Sequence, residues 1–248
     1  EFSISKKNGG ERVICAPNDK LKAIQRKLAV ILNMVYKTKP AAHGFVLDKN
    51  VATNAKGHVK KKYVFNIDLE NFFDQIHFGR VRGMLMKPPY NLGEEAALVI
   101  SQVACYKGKL PQGAPTSPIL TNMVCAPLDT QLTKLAKKYN LQYSRYADDI
   151  TFSTYKADFP VEIAYVDFNG VHVGTVLEEL IKKNNFLINY NKVRISDYRQ
   201  RQIVTGLVVN QFVNLRRDYI KEIRALLYSC KVKEYANQKY VFHEFLLI

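Results

Sequence analysis

The spacing of apolar and polar positions predicts an alternation of strands and helices along the chain. Residues 1–17 hold two short strand-like pieces around Lys6-Lys7-Asn8-Gly9-Gly10, a hairpin turn by composition. The second piece, Glu11 to Cys15, is stopped by Pro17. Asn18 or Asp19 then caps a helix that runs to about Lys37. Its Leu21, Ile24, Leu28, Ile31 and Val35 recur at steps of three and four and predict one buried stripe, with Lys20, Lys22, Arg26 and Lys27 off it. Residues 38–62 predict an irregular segment that ends in the basic run Lys60-Lys61-Lys62. Tyr63-Val64-Phe65-Asn66-Ile67-Asp68 predicts a short apolar strand ending on an acid. A helix or turn follows, closed by Pro88-Pro89, and then a helix from Glu94 to Tyr106.

The Pro/Gly-rich loop from Leu110 to Pro118 opens a long helix, with Ser117 as N-cap and Pro118 in the first position. Leu120, Val124, Leu128, Leu132 and Leu135 form its buried stripe, and Pro127 within it predicts a kink. Leu141 to Tyr146 and Ile150 to Tyr155 are rich in β-branched and aromatic residues and predict two strands joined by a turn at Tyr146-Ala147-Asp148-Asp149. Val166 to Val173 predicts a second hairpin on an Asn169-Gly170 turn. A helix from about Thr175 to Asn184 follows, with strands at Phe186–Asn189 and Arg201–Val209. Arg216 to Cys230 predicts a helix with Tyr219, Ile220, Ile223 and Leu227 on one side. Residues 231–248 read as helical or frayed.

A chain of 248 residues with 47% hydrophobic content can bury a sizeable core, as one large domain or two subdomains. No apolar run approaches membrane-spanning length, and the N-terminus lacks a signal-peptide pattern. The four cysteines (Cys15, Cys105, Cys125 and Cys230) are far apart without zinc-type spacing, which predicts reduced core residues in a cytosolic protein. The charge narrows the reading further. Lys+Arg 37 against Asp+Glu 22 gives a net +15, which points to RNA or DNA as partner rather than an acidic small molecule. An anionic membrane surface is the other class, but no basic amphipathic anchor stands out. The chain opens on Glu1 in mid-pattern, as a fragment of a longer protein would.

Two adjacent carboxylates, Asp148 and Asp149, are presented on a turn. Like charges side by side repel, and a divalent cation between them relieves the repulsion. Asp68, at the end of its own strand, is the candidate third carboxylate. Hard oxygen ligands suit Mg²⁺. Two such ions about 4 Å apart can activate an attacking hydroxyl and stabilise a leaving pyrophosphate. Taken singly, the pair reads equally as a surface Asp-Asp turn, and Asp68 as a helix N-cap.

With these residues in place, nearly the whole chain resembles a reverse transcriptase, and within that class the bacterial retron type. The resemblance rests on Asn66-Ile67-Asp68-Leu69-Glu70-Asn71-Phe72-Phe73, Leu110 to Pro118, Tyr146-Ala147-Asp148-Asp149 and Phe186 to Lys192, in that order. Two further blocks are similar to retron hallmarks: Asn54-Ala55-Lys56-Gly57-His58 and Val204-Thr205-Gly206. The resemblance implies an α+β right-hand polymerase with fingers, a ferredoxin-like palm and a partial helical thumb. Residues 1–62 would be fingers and 63–210 palm, with part of the fingers, about 85–110, inserted. Residues 211–248 would begin a thumb left incomplete at Ile248.

The same resemblance implies roles residue by residue. Asp68, Asp148 and Asp149 would be the catalytic acids, binding two Mg²⁺ ions (with Mn²⁺ as substitute) together with the Leu69 carbonyl. Phe73 would lie under the sugar and exclude a ribose 2′-OH, and Gln112 and Gly113 would contact the incoming nucleotide. Arg12 would clamp its triphosphate, and Lys192 would donate a proton to pyrophosphate. Asn54, His58, Val204, Thr205 and Gly206 would bind structured RNA, while Arg216, Arg217, Lys221 and Arg224 would track a duplex backbone. The implied partners are a structured noncoding RNA serving as template and primer, its DNA product, dNTPs and a separate effector protein, without a membrane. The implied setting is antiphage defence in the bacterial cytoplasm. The alternatives are a group II intron-type reverse transcriptase and an inactive polymerase fold kept as an RNA-binding scaffold. Pro127 and the long hairpin at Asn169-Gly170 depart from the family pattern.

Overall fold

A computed structural model of the chain describes residues 1–5, 9 and 11–232. Most of the turn predicted at Lys6–Gly10 and the tail after residue 232 lie outside the described residues. The centre is a four-stranded sheet of β3 (Tyr63–Asp68), β4 (Gln142–Tyr146), β5 (Asp149–Thr154) and β8 (Arg194–Asp197). Its order is β4-β5-β3-β8, with every neighbouring pair antiparallel. In chain order the four strands therefore run 4-1-3-2 across the sheet. The two helical crossings are α5 (Ser117–Tyr139), between β3 and β4, and α6 (Thr175–Lys183), between β5 and β8. This is a β-α-β-β-α-β unit. Before α5 lie α3 (Phe78–Met86) and α4 (Glu94–Ala104).

Strand alternation divides the sheet into two faces. Phe65, Ile67, Tyr143, Ile150 and Phe152 point to one of them and join Leu120, Val124, Leu128, Leu132, Leu177 and Ile181 of the two crossing helices in the main core. The predicted stripe of α5 is thus the buried one, and the helix continues through Pro127. Asp68, Asn66, Asp149 and Thr151 alternate to the opposite face. An N-terminal hairpin, β1 (Phe2–Ser5) with β2 (Glu11–Ile14), and helix α1 (Asp19–Val35) precede the sheet.

Several elements differ from the sequence reading. In α1 the buried positions are Gln25 and Leu32, with Tyr36 at the cap, while Ile24, Ile31 and Val35 are exposed. Two overlapping stripes fit the same spacing, and polar partners select the other one. Gln25 Nε2 donates to the Val103 carbonyl at 2.7 Å, and the Tyr36 hydroxyl to the Asn122 carbonyl at 3.0 Å. The segment 38–62 is not wholly irregular: Asn50 and Thr53 form a capping box for α2 (Val51–Lys56). Thr116, not Ser117, occupies the N-cap of α5, and the Ser117 hydroxyl instead donates to the Pro111 carbonyl at 2.6 Å.

Phe186 to Asn189 makes only an isolated bridge, Leu69 to Ile188, before a 3-10 turn at Tyr190–Lys192. The fourth strand is β8, whose polar sequence hid it. Arg201–Val209 folds as a tight hairpin of β9 (Ile203–Val204) and β10 (Leu207–Val208), not one strand. The other hairpin, β6 (Ala164–Asp167) with β7 (Gly170–Val173), turns at Phe168-Asn169, because Asp167 pairs with Gly170. Helix α7 (Arg217–Val232) starts one residue later than expected. Cys125 is buried, and Cys15 and Cys105 are half-buried free thiols. Among the described residues no helix is long and apolar enough to cross a membrane.

Candidate active site

Asp68 ends β3 and lies directly opposite Asp149, which begins β5. Tyr146 pairs with Asp149, so the turn between β4 and β5 is Ala147 and Asp148 alone. Three acids thereby meet at one end of the sheet. Ala147 takes a left-handed φ of 55°, a strained choice for a residue with a Cβ. The Leu69 N–H donates to the Asp148 carbonyl at 3.1 Å, and the Asn189 N–H donates to the Asp68 carbonyl at 2.8 Å. The backbone thus ties the end of β3 to the turn on one side and to the approach to β8 on the other.

The charges are strained as well. Burial pushes the Asp149 carboxyl up to about 7, and the neighbouring Asp148 and Asp68 push the same way. Lys192 Nζ donates to Asp68 Oδ2 at 2.9 Å. Burial opposes the Lys192 cation, but the bond to Asp68 and the nearby Asp148 and Asp149 raise its pKa. Among the described residues no three acid, histidine or cysteine side chains close into a metal cage. Mg²⁺ does not require one. It keeps waters and commonly uses one or two carboxylates plus substrate phosphates. Hard oxygen donors, one of them held up to about 7 by burial and then by its neighbouring acids, fit such a cation.

The turn is braced from the core side by residues that the sequence reading passed over. Arg145, on β4, is fully buried and donates from Nε and Nη2 to the two carboxylate oxygens of Asp129 on α5, at 2.8 and 2.7 Å. Its Nη1 donates to the Ala147 carbonyl inside the turn at 2.9 Å, and Nη2 also reaches Asn122 Oδ1 at 3.0 Å. The Tyr143 hydroxyl completes the Asp129 shell at 2.7 Å. Burial works against the Arg145 cation, yet Asp129 holds it firmly protonated. The available signal was a charged residue in the apolar phase of a strand, matched by an acid inside an apolar helix. On the outer side Gly44 lies so close that an added Cβ would overlap the Ala147 nitrogen.

Comparison with known proteins gives this geometry a family. The profile described as "Reverse transcriptase (RNA-dependent DNA polymerase)" matches residues 4–205. The retron Ec86 reverse transcriptase of Escherichia coli is 34% identical over 92% of this chain and 68% of its own length. The chain belongs to the retron reverse transcriptases. The retron Mx162 and Mx65 reverse transcriptases of Myxococcus xanthus are 34% and 32% identical, and this chain spans about half of their length, 52% and 55%. Among solved structures, a telomerase from Candida albicans in complex with a TWJ fragment of telomeric RNA superposes with a TM-score of 0.56 at 12% identity, over 93% of this chain and 50% of that one. The apo telomerase of Candida tropicalis gives 0.55 at 11% identity, over 84% and 46%. At these identities the likeness is one of fold.

In this retron-type chain the remaining candidate residues are distributed unevenly. Phe72 is buried and stacks on Phe186, while Phe73 is half-buried, edge-on to Phe72 with centroids 5.5 Å apart. The Gln112 carbonyl accepts from the Cys15 N–H at 2.8 Å, which pins the loop to the end of β2. Gly113 there has φ 107° and faces Ile14 so closely that a side chain would collide. The backbone of Arg12 lies on β2, and its side chain is outside the described set.

The two retron blocks require a correction. Asn54 and His58 are 1% and 0% exposed, so neither presents a side chain to RNA. His58 Nδ1 is hydrogen-bonded to Ser153 Oγ and Nε2 to Ser144 Oγ, each at 2.7 Å, and so joins β5 to β4. Asn54 Nδ2 donates to Thr205 Oγ1 at 3.4 Å. Ala55, Val64, Val204 and Val209 pack together beside this bond. The two blocks, far apart in sequence, therefore build one joint. Thr205 and Gly206 form the tip of its hairpin, with φ of 46° and 83°. Arg216, Arg217, Lys221 and Arg224 are exposed on and just before α7.

Proposed function

We propose that this chain is the catalytic part of a retron RNA-directed DNA polymerase. It copies a structured partner noncoding RNA into a branched RNA–DNA hybrid from dNTPs. The observation that carries the reading is Asp68 opposite Asp149, with Asp148 in the two-residue turn, at one end of the 4-1-3-2 sheet. In this reading the sheet with α5 and α6 is the palm. Residues 1–62 and about 85–110 form the fingers, and α7 opens the thumb. Asp68, Asp148, Asp149 and the Leu69 carbonyl would hold Mg²⁺. Bound there, it would lower the pKa of the primer hydroxyl and neutralise charge on the leaving phosphates.

The chain's own side chains supply the rest. Lys192, 2.9 Å from Asp68, holds a proton where pyrophosphate would depart. Phe73 sets a ring against the sugar edge, and Gln112 with Gly113 offers close backbone approach to the nucleotide. The exposed arginines at α7 track the duplex, and Thr205-Gly206 is the part of the retron blocks left to meet RNA. A bacterial cytoplasmic defence role with a separate effector follows the same reading. The deciding experiment is primer extension on an RNA template with Mg²⁺, comparing dNTPs with NTPs, for the wild type and the Asp148→Ala/Asp149→Ala double variant. DNA synthesis abolished in the variant is expected, with NTP use rising in Phe73→Val. Tight RNA binding without any synthesis by the folded wild type would favour a scaffold instead.

A further inference from the structure

The face of the sheet that carries the acids also carries a polar relay that none of the roles above uses. Asn66 lies two residues before Asp68 on β3, and Thr151 two residues after Asp149 on β5, so strand alternation puts all four on one face. Arg194 on β8 is paired opposite Asn66 and shares that face. Arg194 Nε donates to Asn66 Oδ1 at 3.3 Å, and Asn66 Nδ2 donates to Thr151 Oγ1 at 2.9 Å. The relay crosses three strands. Asn66 and Thr151 are 8% and 1% exposed, whereas Arg194 is exposed.

Asn is a poor strand former, and its amide here is spent on orienting one guanidinium. Among the described residues, Nη1 and Nη2 of that guanidinium make no hydrogen bond or ion pair. Lys192 answers the acids directly through Asp68, whereas Arg194 acts on Asp149 through space and, among the described residues, its fork bonds no carboxylate. Two residues of strand place it about 7 Å along the face from the acid pair. A planar guanidinium oriented through Nε, with its two terminal nitrogens unbonded, matches a phosphate.

We infer that Arg194 binds a phosphate group of the reacting nucleic acid or nucleotide, and that Asn66 and Thr151 are the residues that position it. The inference rests on the polymerase reading above. The phosphate has two possible sources, the backbone of the primer strand near its 3′ end and the polyphosphate of the incoming nucleotide.

Arg194→Gln in steady-state primer extension separates them. A nucleotide source raises the dNTP KM and the pyrophosphate inhibition constant together by about tenfold, the scale of one charge-assisted hydrogen bond. A primer source weakens primer–template binding by a similar factor and lowers its salt slope by about 1. In either case the Mg²⁺ half-saturation stays put, Arg194→Lys recovers part of the loss, and Asn66→Ala repeats the defect more weakly. The lysine variant carries the comparison if the glutamine variant fails to fold. A change confined to Mg²⁺ half-saturation would make Arg194 a mere counter-charge to the acids and overturn the inference, as would unchanged constants. If the wild type makes no DNA at all, the polymerase reading fails and takes this inference with it.

Discussion

His58 shows how far a single side chain's burial decides its role. Both ring nitrogens are bonded to serines on β4 and β5, the two arms of the acid-bearing hairpin, and the ring has no exposed surface. Burial pushes its pKa down to about 3 from 6.5, with Lys61 and His43 adding to the effect. Above pH 6.5 the ring is neutral in both folded and unfolded chains, and its bonds stabilise the fold in full. As pH falls below 6.5 the unfolded chain takes up a proton that the folded chain refuses. Stability then drops by about 1.4 kcal/mol per pH unit until the folded pKa is reached. Denaturant titrations from about pH 7 to about pH 4 should therefore show a steeper loss in the wild type than in His58→Gln. Equal slopes would mean that the ring is not held neutral in the folded chain.

At the scale of elements, the acid-bearing hairpin of β4 and β5 is held from three directions. Helix α5 reaches the turn through Asp129 and Arg145, the turn after α2 grips the strands through His58, and the segment around Gly44 closes against the tip. Asn122 links two of these, since its Nδ2 donates to the Gly44 carbonyl at 2.9 Å while its Oδ1 accepts from Arg145. Backbone packed on backbone leaves no flexible atom to yield. Gly44→Ala should displace the Ala147–Asp148 turn at about 1–3 kcal/mol in stability, the usual range for overpacking. DNA synthesis should fall by more than tenfold (roughly the effect of a 1 Å misplacement), while the melting curve remains cooperative. Full activity in the folded variant would show that the turn tolerates the added methyl.

For the whole molecule, charge and topology divide the work. The net charge of +15 includes exposed lysines and arginines on α1 and α7 and the Lys60–Lys62 run, while Asp68, Asp148 and Asp149 collect at one end of the sheet. Such a surface binds polyanions by counterion release. If about four phosphates are neutralised, RNA affinity should fall about a hundredfold between roughly 50 and 200 mM salt. Filter binding or anisotropy across that range checks the slope, and a nearly flat response would remove phosphate contacts as the main source of affinity. The same topology explains why telomerases with 11–12% identity superpose on this chain. A 4-1-3-2 sheet puts the end of its first strand beside the start of its third, whatever sequence fills the helices.

Local patterns were enough for the strand ending on Asp68, the two strands flanking the Asp148-Asp149 turn, the buried stripe of α5 and the net charge. Each depends on residues close in the chain or on a sum over all of it. The ordered blocks from Asn66 to Lys192 were also enough for the family. What stayed hidden depends on partners distant in sequence. The buried face of α1 turned on Gln25 finding Val103, and the brace of the turn on Arg145 meeting Asp129. The polar β8 became a strand only because β3 had an open edge. Asn54 and His58 read as RNA-facing because polar side chains in a basic segment look solvated. Ser144 and Ser153 bond both ring nitrogens of His58 inside the fold, and Thr205, 151 residues from Asn54, accepts from its Nδ2. A buried polar group needs a partner, and only the tertiary structure decided which residue that was.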